Sequence, residues 1–108
     1  MKILCFLTDI FFIPEIERAL SGHSVKFADK YSGECFDFLL LDMDNKISFE
    51  LCKKYPEKSI CFGSHSNTEQ MKKFKSTGCK NIFPRSVFLK RFGEIIRKQL
   101  SFEVIQVE

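Results

Sequence analysis

Apolar residues fall in short continuous runs separated by stretches with a helical repeat. Residues 2–7, 24–28, 36–41 and 59–62 read as strands, with a weaker fifth run at 81–83. Ile3-Leu4-Cys5-Phe6-Leu7 and Phe38-Leu39-Leu40-Leu41 show no polar alternation. Such runs mark strands covered on both faces, as in a parallel sheet between two helical layers.

The intervening segments supply the helices. Residues 14–20 place Ile16, Ala19 and Leu20 on one face, with Pro14 suited to the first turn and Gly22 to the C-terminal cap. Ser66-Asn67-Thr68-Glu69 has the form of a capping box, and Met71 and Phe74 follow on one face until Gly78. Residues 86–100 repeat Phe88, Leu89, Phe92, Ile95, Ile96 and Leu100 opposite Lys90, Arg91, Glu94, Arg97 and Lys98, an amphipathic and basic helix. Residues 101–108 alternate too weakly to separate a short strand from a tail or the stump of a linker. Strand alternating with helix predicts an α/β three-layer sandwich around a parallel sheet, with function at the carboxyl ends of the strands.

Composition narrows the picture. With 108 residues, 44% hydrophobic and 29% charged, the chain is sized for one domain, expected over residues 1–100. A net charge of +3 is too small for a dedicated nucleic-acid binder, and no recognised motif accompanies it. The charge is unevenly spread: residues 1–50 hold five basic and nine acidic side chains, residues 51–108 twelve and five. Five cysteines with no CxxC pair and no accompanying histidine spacing read as reduced thiols rather than a zinc site, with Cys5 and Cys61 as small hydrophobes inside strands. Thr8-Asp9 interrupts the first apolar run, so no signal peptide or membrane span is expected, and the expected location is cytoplasmic.

Candidate chemistry gathers at the strand ends. Asp42 closes the third strand, Asp44 lies two residues on and Asp9 follows the first strand. Three carboxylates from these positions suit one hard cation, and Arg85 after the last strand suits an anion beside it. An aspartate at a strand end equally caps a loop, so both readings stand for Asp9, Asp42 and Asp44. His65 reads as a solvated loop histidine.

With these landmarks, the sequence resembles the receiver domain of two-component response regulators, the chemotaxis-type flavodoxin-like fold. The matching stretches are Lys2-Ile3-Leu4-Cys5-Phe6, Phe36-Asp37-Phe38-Leu39-Leu40-Leu41-Asp42, Phe49-Glu50-Leu51, and Ser76-Thr77-Gly78-Cys79-Lys80-Asn81-Ile82 running into Phe83-Pro84-Arg85-Ser86. The resemblance implies a signalling module rather than an enzyme, with a five-stranded sheet in the order 2-1-3-4-5. It implies that Asp42 is the phosphoacceptor, served by a histidine kinase or other phosphodonor, with Mg²⁺ at an acidic pair after the first strand. That pair falls on Leu7-Thr8, leaving Asp9 as the nearest substitute, with Asp42 and Asp44, for Mg²⁺. The hydroxyl position ending strand four falls on Gly63, with Ser64 adjacent, and the lysine position falls on Arg85.

The family often dimerises through its fourth helix, fifth strand and fifth helix, which here assigns Lys90, Arg91, Lys98, Glu69 and Glu94 to a homodimer or docking surface, with a downstream output domain or protein as a further partner. Two functions follow: a phosphorylated receiver, or a phosphorylation-independent pseudo-receiver used for dimerisation or docking. Only seven residues, Asp29 to Cys35, separate the second and third strands, fewer than the roughly 10–12 of a complete crossover. Seven extended residues reach roughly 25 Å, enough for the about 20 Å path along one intervening strand. The expected fold therefore keeps its strand order and has its second helix missing or reduced.

Overall fold

The computed structural model describes residues 2–64 and 66–88, together with 90, 91, 94, 95 and 98. In chain order the elements are β1 (Lys2–Phe6), a 3-10 turn (Ile10–Phe12), α1 (Ile13–Ala19), β2 (Ser24–Phe27), β3 (Phe38–Asp42), α2 (Ser48–Lys54), a second 3-10 turn (Pro56–Lys58), β4 (Ser59–Gly63), α3 (Thr68–Lys75) and β5 (Ile82–Pro84). A further helix, α4, begins at Arg85, and its described residues are 85–88, 90, 91, 94, 95 and 98. His65, Leu89, Phe92, Ile96, Arg97, Leu100 and the tail 101–108 lie outside the described residues. No helix among the described residues is long and apolar enough to cross a membrane.

The five strands form one parallel sheet in the order β2-β1-β3-β4-β5. Alternate side chains of each strand point to opposite faces, which divides the core in two. Ile3, Cys5, Phe38, Leu40, Ile60 and Phe62 meet Ile16 of α1, Leu20 at its C-terminal cap and Phe88 of α4 on one face. Leu4, Phe6, Leu39, Leu41 and Cys61 meet Leu51 and Cys52 of α2 and Phe74 of α3 on the other. This is the three-layer sandwich implied by runs without polar alternation.

No helix separates β2 from β3. An aromatic cluster covers that part of the sheet instead: Phe36 meets Tyr55 edge-on with ring centroids 5.0 Å apart, and Tyr31 packs against both. The connecting loop is tied down by Glu34, which accepts the Ser32 N–H at 3.1 Å and pairs with Lys26 at 3.6 Å. The Ser32 amide, with Lys26 adding to it, holds the Glu34 carboxyl below its ordinary range. Since the family's second helix is absent, α3 and α4 stand where its fourth and fifth helices stand.

Most element ends differ from the sequence reading by one residue, and two differences bear on the packing. Phe36 precedes β3, where its ring joins the aromatic cluster rather than the ladder. The expected capping box does not form: Asn67 is the N-cap of α3 and accepts the Gln70 N–H at 3.1 Å, while the Ser66 hydroxyl bonds that of Ser64. Asparagine one residue later takes over the N-cap role and accepts the amide one residue further on, so the helix starts one residue late.

Phe88 is fully buried and stacks on Phe62 with centroids 4.7 Å apart and planes 9° from parallel. Phe88→Ala is expected to cost about 3–5 kcal/mol, read as a lower urea midpoint at unchanged slope; a loss below about 1 kcal/mol would contradict this packing of α4.

Candidate functional site

The carboxyl ends of β1, β3 and β5 converge on one side chain. Asp42 ends the central strand and is completely buried. A buried carboxylate needs partners for its lone pairs, and Asp42 has them on both oxygens. Oδ2 accepts from the Thr8 hydroxyl at 2.5 Å and the Thr8 N–H at 3.3 Å. Oδ1 accepts the Asp44 N–H at 3.0 Å and lies 3.5 Å from Nη2 of Arg85. The backbone is held equally firmly, because the Asp42 carbonyl accepts from the Ser48 hydroxyl at 2.6 Å and from the Asn45 N–H at 2.9 Å. Asn45 Nδ2 then reaches the Leu7 carbonyl at 3.2 Å, tying this loop to the end of β1.

Arg85 spans the site. Its Nη2 also pairs with Asp44 Oδ2 at 3.3 Å, and its guanidinium lies 5.4 Å from the centroid of Phe12 and 6.0 Å from that of Phe62. Aromatic faces suit this delocalised cation and limit where it can swing. Asp44 is held from its other side by Gln70 of α3, whose Nε2 donates to Asp44 Oδ1 at 3.2 Å and to the Met43 carbonyl at 2.9 Å.

The other expected members of the site are placed elsewhere. Asp9 accepts the Phe11 N–H at 2.9 Å and caps the 3-10 turn, the alternative open to any aspartate at a strand end. Beyond it, Ile10 and Phe11 are exposed. Asp9, Asp42 and Asp44 do not gather their oxygens within 4.8 Å of one another. The Ser64 hydroxyl is 2.8 Å from that of Ser66. At Gly63, a β-carbon would lie 2.7 Å from Met43 Cε and 3.2 Å from its Cβ, so Met43 fills the space a side chain would need there.

Mg²⁺ requires several oxygen ligands in near-octahedral order. Both Asp42 oxygens are already bonded, a hydroxyl stands in place of the second acid, and a fixed cation bridges Asp42 and Asp44. The buried atoms without a partner among the described residues, Gln70 Oε1 and Arg85 Nε, are one acceptor and one donor, and do not complete an oxygen cage. These residues do not fit a receiver-type Mg²⁺ site.

Of the five expected interface residues, Arg91, Glu94 and Lys98 line one groove of about 410 Å³ with Asn81, Phe83 and Val87. Arg91 and Glu94 also pair along the helix at 3.1 Å. Lys90 is exposed on the same helix. Glu69 lines a different groove, of about 360 Å³, with Asp44, Asn45 and Lys73.

Thr8, Met43 and Gln70 complete the site without having been singled out for these roles. Thr8 had a signal, since it occupies the position of the family's acidic pair; Met43 and Gln70 had none, because their roles depend on α3 packing over the β3 end. Thr8→Val, which keeps shape and removes the hydroxyl, is expected to cost about 1–3 kcal/mol in urea unfolding. Gly63→Ser is expected to destabilise by about 1–3 kcal/mol through overpacking, with Met43→Ala in the same chain recovering part of the loss; equal losses in the single and double variants would rule out this contact.

No protein-family model matches the sequence, and no curated protein matches it. Solved structures do. A CheY-like response regulator receiver domain protein from Methanospirillum hungatei JF-1 superposes with a TM-score of 0.78 at 19% identity, covering 97% of each chain. The BeF3-activated receiver domain of DrrB gives 0.76 at 17% identity, over 93% of this chain and 97% of the other. The non-phosphorylated HemR receiver domain from Leptospira biflexa gives 0.72 at 17% identity, over 93% of this chain and 94% of the other. With its strand order and the placement of Asp42 at the end of the central strand, the chain has the receiver-domain fold of response regulators.

Proposed function

We propose that the chain is a signal-transduction module of receiver type that works without phosphorylation, as a pseudo-receiver used for dimerisation or protein docking. The observation that carries this reading is the buried Asp42 carboxylate, with both oxygens bonded by Thr8, the Asp44 amide and Arg85. A phosphoacceptor carboxylate must present an oxygen to the donor, with a cation beside it to offset charge in the transition state. Here, freeing an oxygen means breaking contacts that keep a buried charge satisfied, at a cost of about 3–5 kcal/mol when such a pair loses one partner. Ser64 is engaged with Ser66, and Met43 occupies the space beside Gly63.

In this reading Arg85 does constitutively what a transient ligand does in a switch. It bridges Asp42 and Asp44 from the start of α4, so the end of β3 and the β5–α4 junction are held in one arrangement. The surface presented to a partner is then the face of α3, β5 and α4. Arg91, Glu94 and Lys98, with Lys90 on the same helix, give it both charge signs, which suits an isologous contact with a second copy, while Glu69 opens to the separate groove beside Asp44. Such a contact is steered by exposed charges and weakens with salt.

The test has two arms. Intact-protein mass is measured after incubation with acetyl phosphate and Mg²⁺, alongside an ordinary receiver that labels under the same conditions. No phosphoryl gain is expected on this chain, and a gain mapped to Asp42 would overturn the proposal. Sedimentation is expected to show self-association that weakens about tenfold or more in the Arg91→Glu, Lys98→Glu double variant, equivalent to about 1.4 kcal/mol; dimerisation indifferent to both charges and salt would remove this surface from the reading.

A further inference from the structure

A second cluster lies on the opposite side of β4, away from Asp42's partners. Cys52 of α2, Cys61 of β4 and Cys79 in the segment before β5 are all buried, and their three sulfurs lie within 4.8 Å of one another. Cys61 Sγ is 3.6 Å from Cys52 Sγ. Cys79 Sγ is 3.3 Å from the Ser59 carbonyl, and the Thr77 hydroxyl lies 3.3 Å from Cys52 Sγ. The three cysteines belong to the same buried apolar cluster as Leu4, Leu39, Leu51 and Phe74, against which Ile82 packs. Among the described residues this is the one group of three or more Cys, His, Asp or Glu side chains with its ligand atoms so gathered.

The spacing matches what a metal demands. Metal–sulfur bonds of about 2.3 Å place sulfurs about 3.8 Å apart around a tetrahedral ion and about 4.0 Å apart around a trigonal one. The three thiols come from three separate parts of the chain, and their mutual distances, within 4.8 Å, are already close to those of a coordination shell. An all-sulfur donor set in apolar surroundings selects soft, thiophilic ions over hard ones such as Mg²⁺. Two oxygens lie equally near the sulfurs, the Thr77 hydroxyl beside Cys52 and the Ser59 carbonyl beside Cys79, each at 3.3 Å. The Cys61 S–H is directed at Cys52 Sγ, which lowers the Cys52 thiol and raises that of Cys61.

We propose that Cys52, Cys61 and Cys79 form a buried three-thiolate site for a single soft, thiophilic cation of the Zn²⁺ or Cu⁺ type. Coordination involves no redox step: sulfur–metal bonds form, and the displaced thiol protons pass to solvent. The bound ion joins α2, β4 and the entry to β5, and stabilises the folded chain by mass action. The site is independent of any role for Asp42.

Reduced full-length protein is titrated with Co²⁺ as a spectroscopic probe, then with Zn²⁺, and separately with Cu⁺ under anaerobic conditions. One equivalent of Co²⁺ is expected to produce sulfur-to-metal charge-transfer absorption that one equivalent of Zn²⁺ abolishes, or Cu⁺ is expected to bind one per chain. In either case native mass spectrometry shows one metal with matching proton loss, and the Tm rises. Cys61→Ala and Cys79→Ala, each checked by circular dichroism, are expected to weaken binding by more than about 100-fold, beyond the 10–100-fold cost of losing a merely supporting group. Cys35→Ala and Cys5→Ala leave it intact. Absence of both charge-transfer absorption and Cu⁺ binding in the folded wild type overturns the proposal without use of any variant. So does binding that survives in folded Cys61→Ala and Cys79→Ala.

Discussion

A carboxylate removed from water at the end of a central strand constrains everything around it. Asp42 cannot be buried there as an ion without donors on both oxygens, and each donor belongs to a different part of the chain. Thr8 brings the end of β1, the Asp44 amide fixes the turn out of β3, and Arg85 brings the start of α4. The same residue that would give the module its chemistry therefore holds three strand ends and a helix together. Those contacts occupy both carboxylate oxygens of Asp42.

The rest of the fold is built by ordinary packing around that fixed point. Strict alternation of side chains along β1, β3 and β4 produces two apolar surfaces, one covered by α1 and α4 and the other by α2 and α3. Where the chain is too short for a helix between β2 and β3, rings replace it: Tyr31, Phe36 and Tyr55 meet edge-on and cover the sheet. Edge-to-face contacts suit this use, since three large rings bury much apolar surface with few residues. The thiols of Cys52, Cys61 and Cys79 are buried within the second of these cores.

The doubly covered sheet, the lost helix and the strand end at Asp42 were legible from local pattern and chain length, whereas the strand order was implied by the resemblance to receiver domains. Unbroken apolar runs declare a doubly covered sheet, and the short link between the second and third strands, residues 28–37 in the structure, carries no helix. Arg85 was legible as Asp42's neighbour because strand-end positions of a parallel sheet share one edge. Asp9 was not resolvable in the same way. An aspartate after a strand serves a metal or its own turn with identical sequence, and the choice depends on whether Phe11's amide or Asp42's neighbourhood is nearer in space.

The sequence by itself determined the period of the hydrophobic pattern, and with it the layers, the parallel sheet and the address of the acidic residue at its edge. Only the tertiary structure decided what that address contains. Thr8 rather than an acid meets Asp42, Met43 folds over Gly63, and Arg85 closes the gap to Asp44. Three cysteines separated by eight and seventeen intervening residues become neighbours within 4.8 Å. The physical reason is common to all of these. Secondary structure is set by spacing along the chain, whereas hydrogen-bond partners and ligand sets are set by distances across it, which appear only when the strands have taken their order.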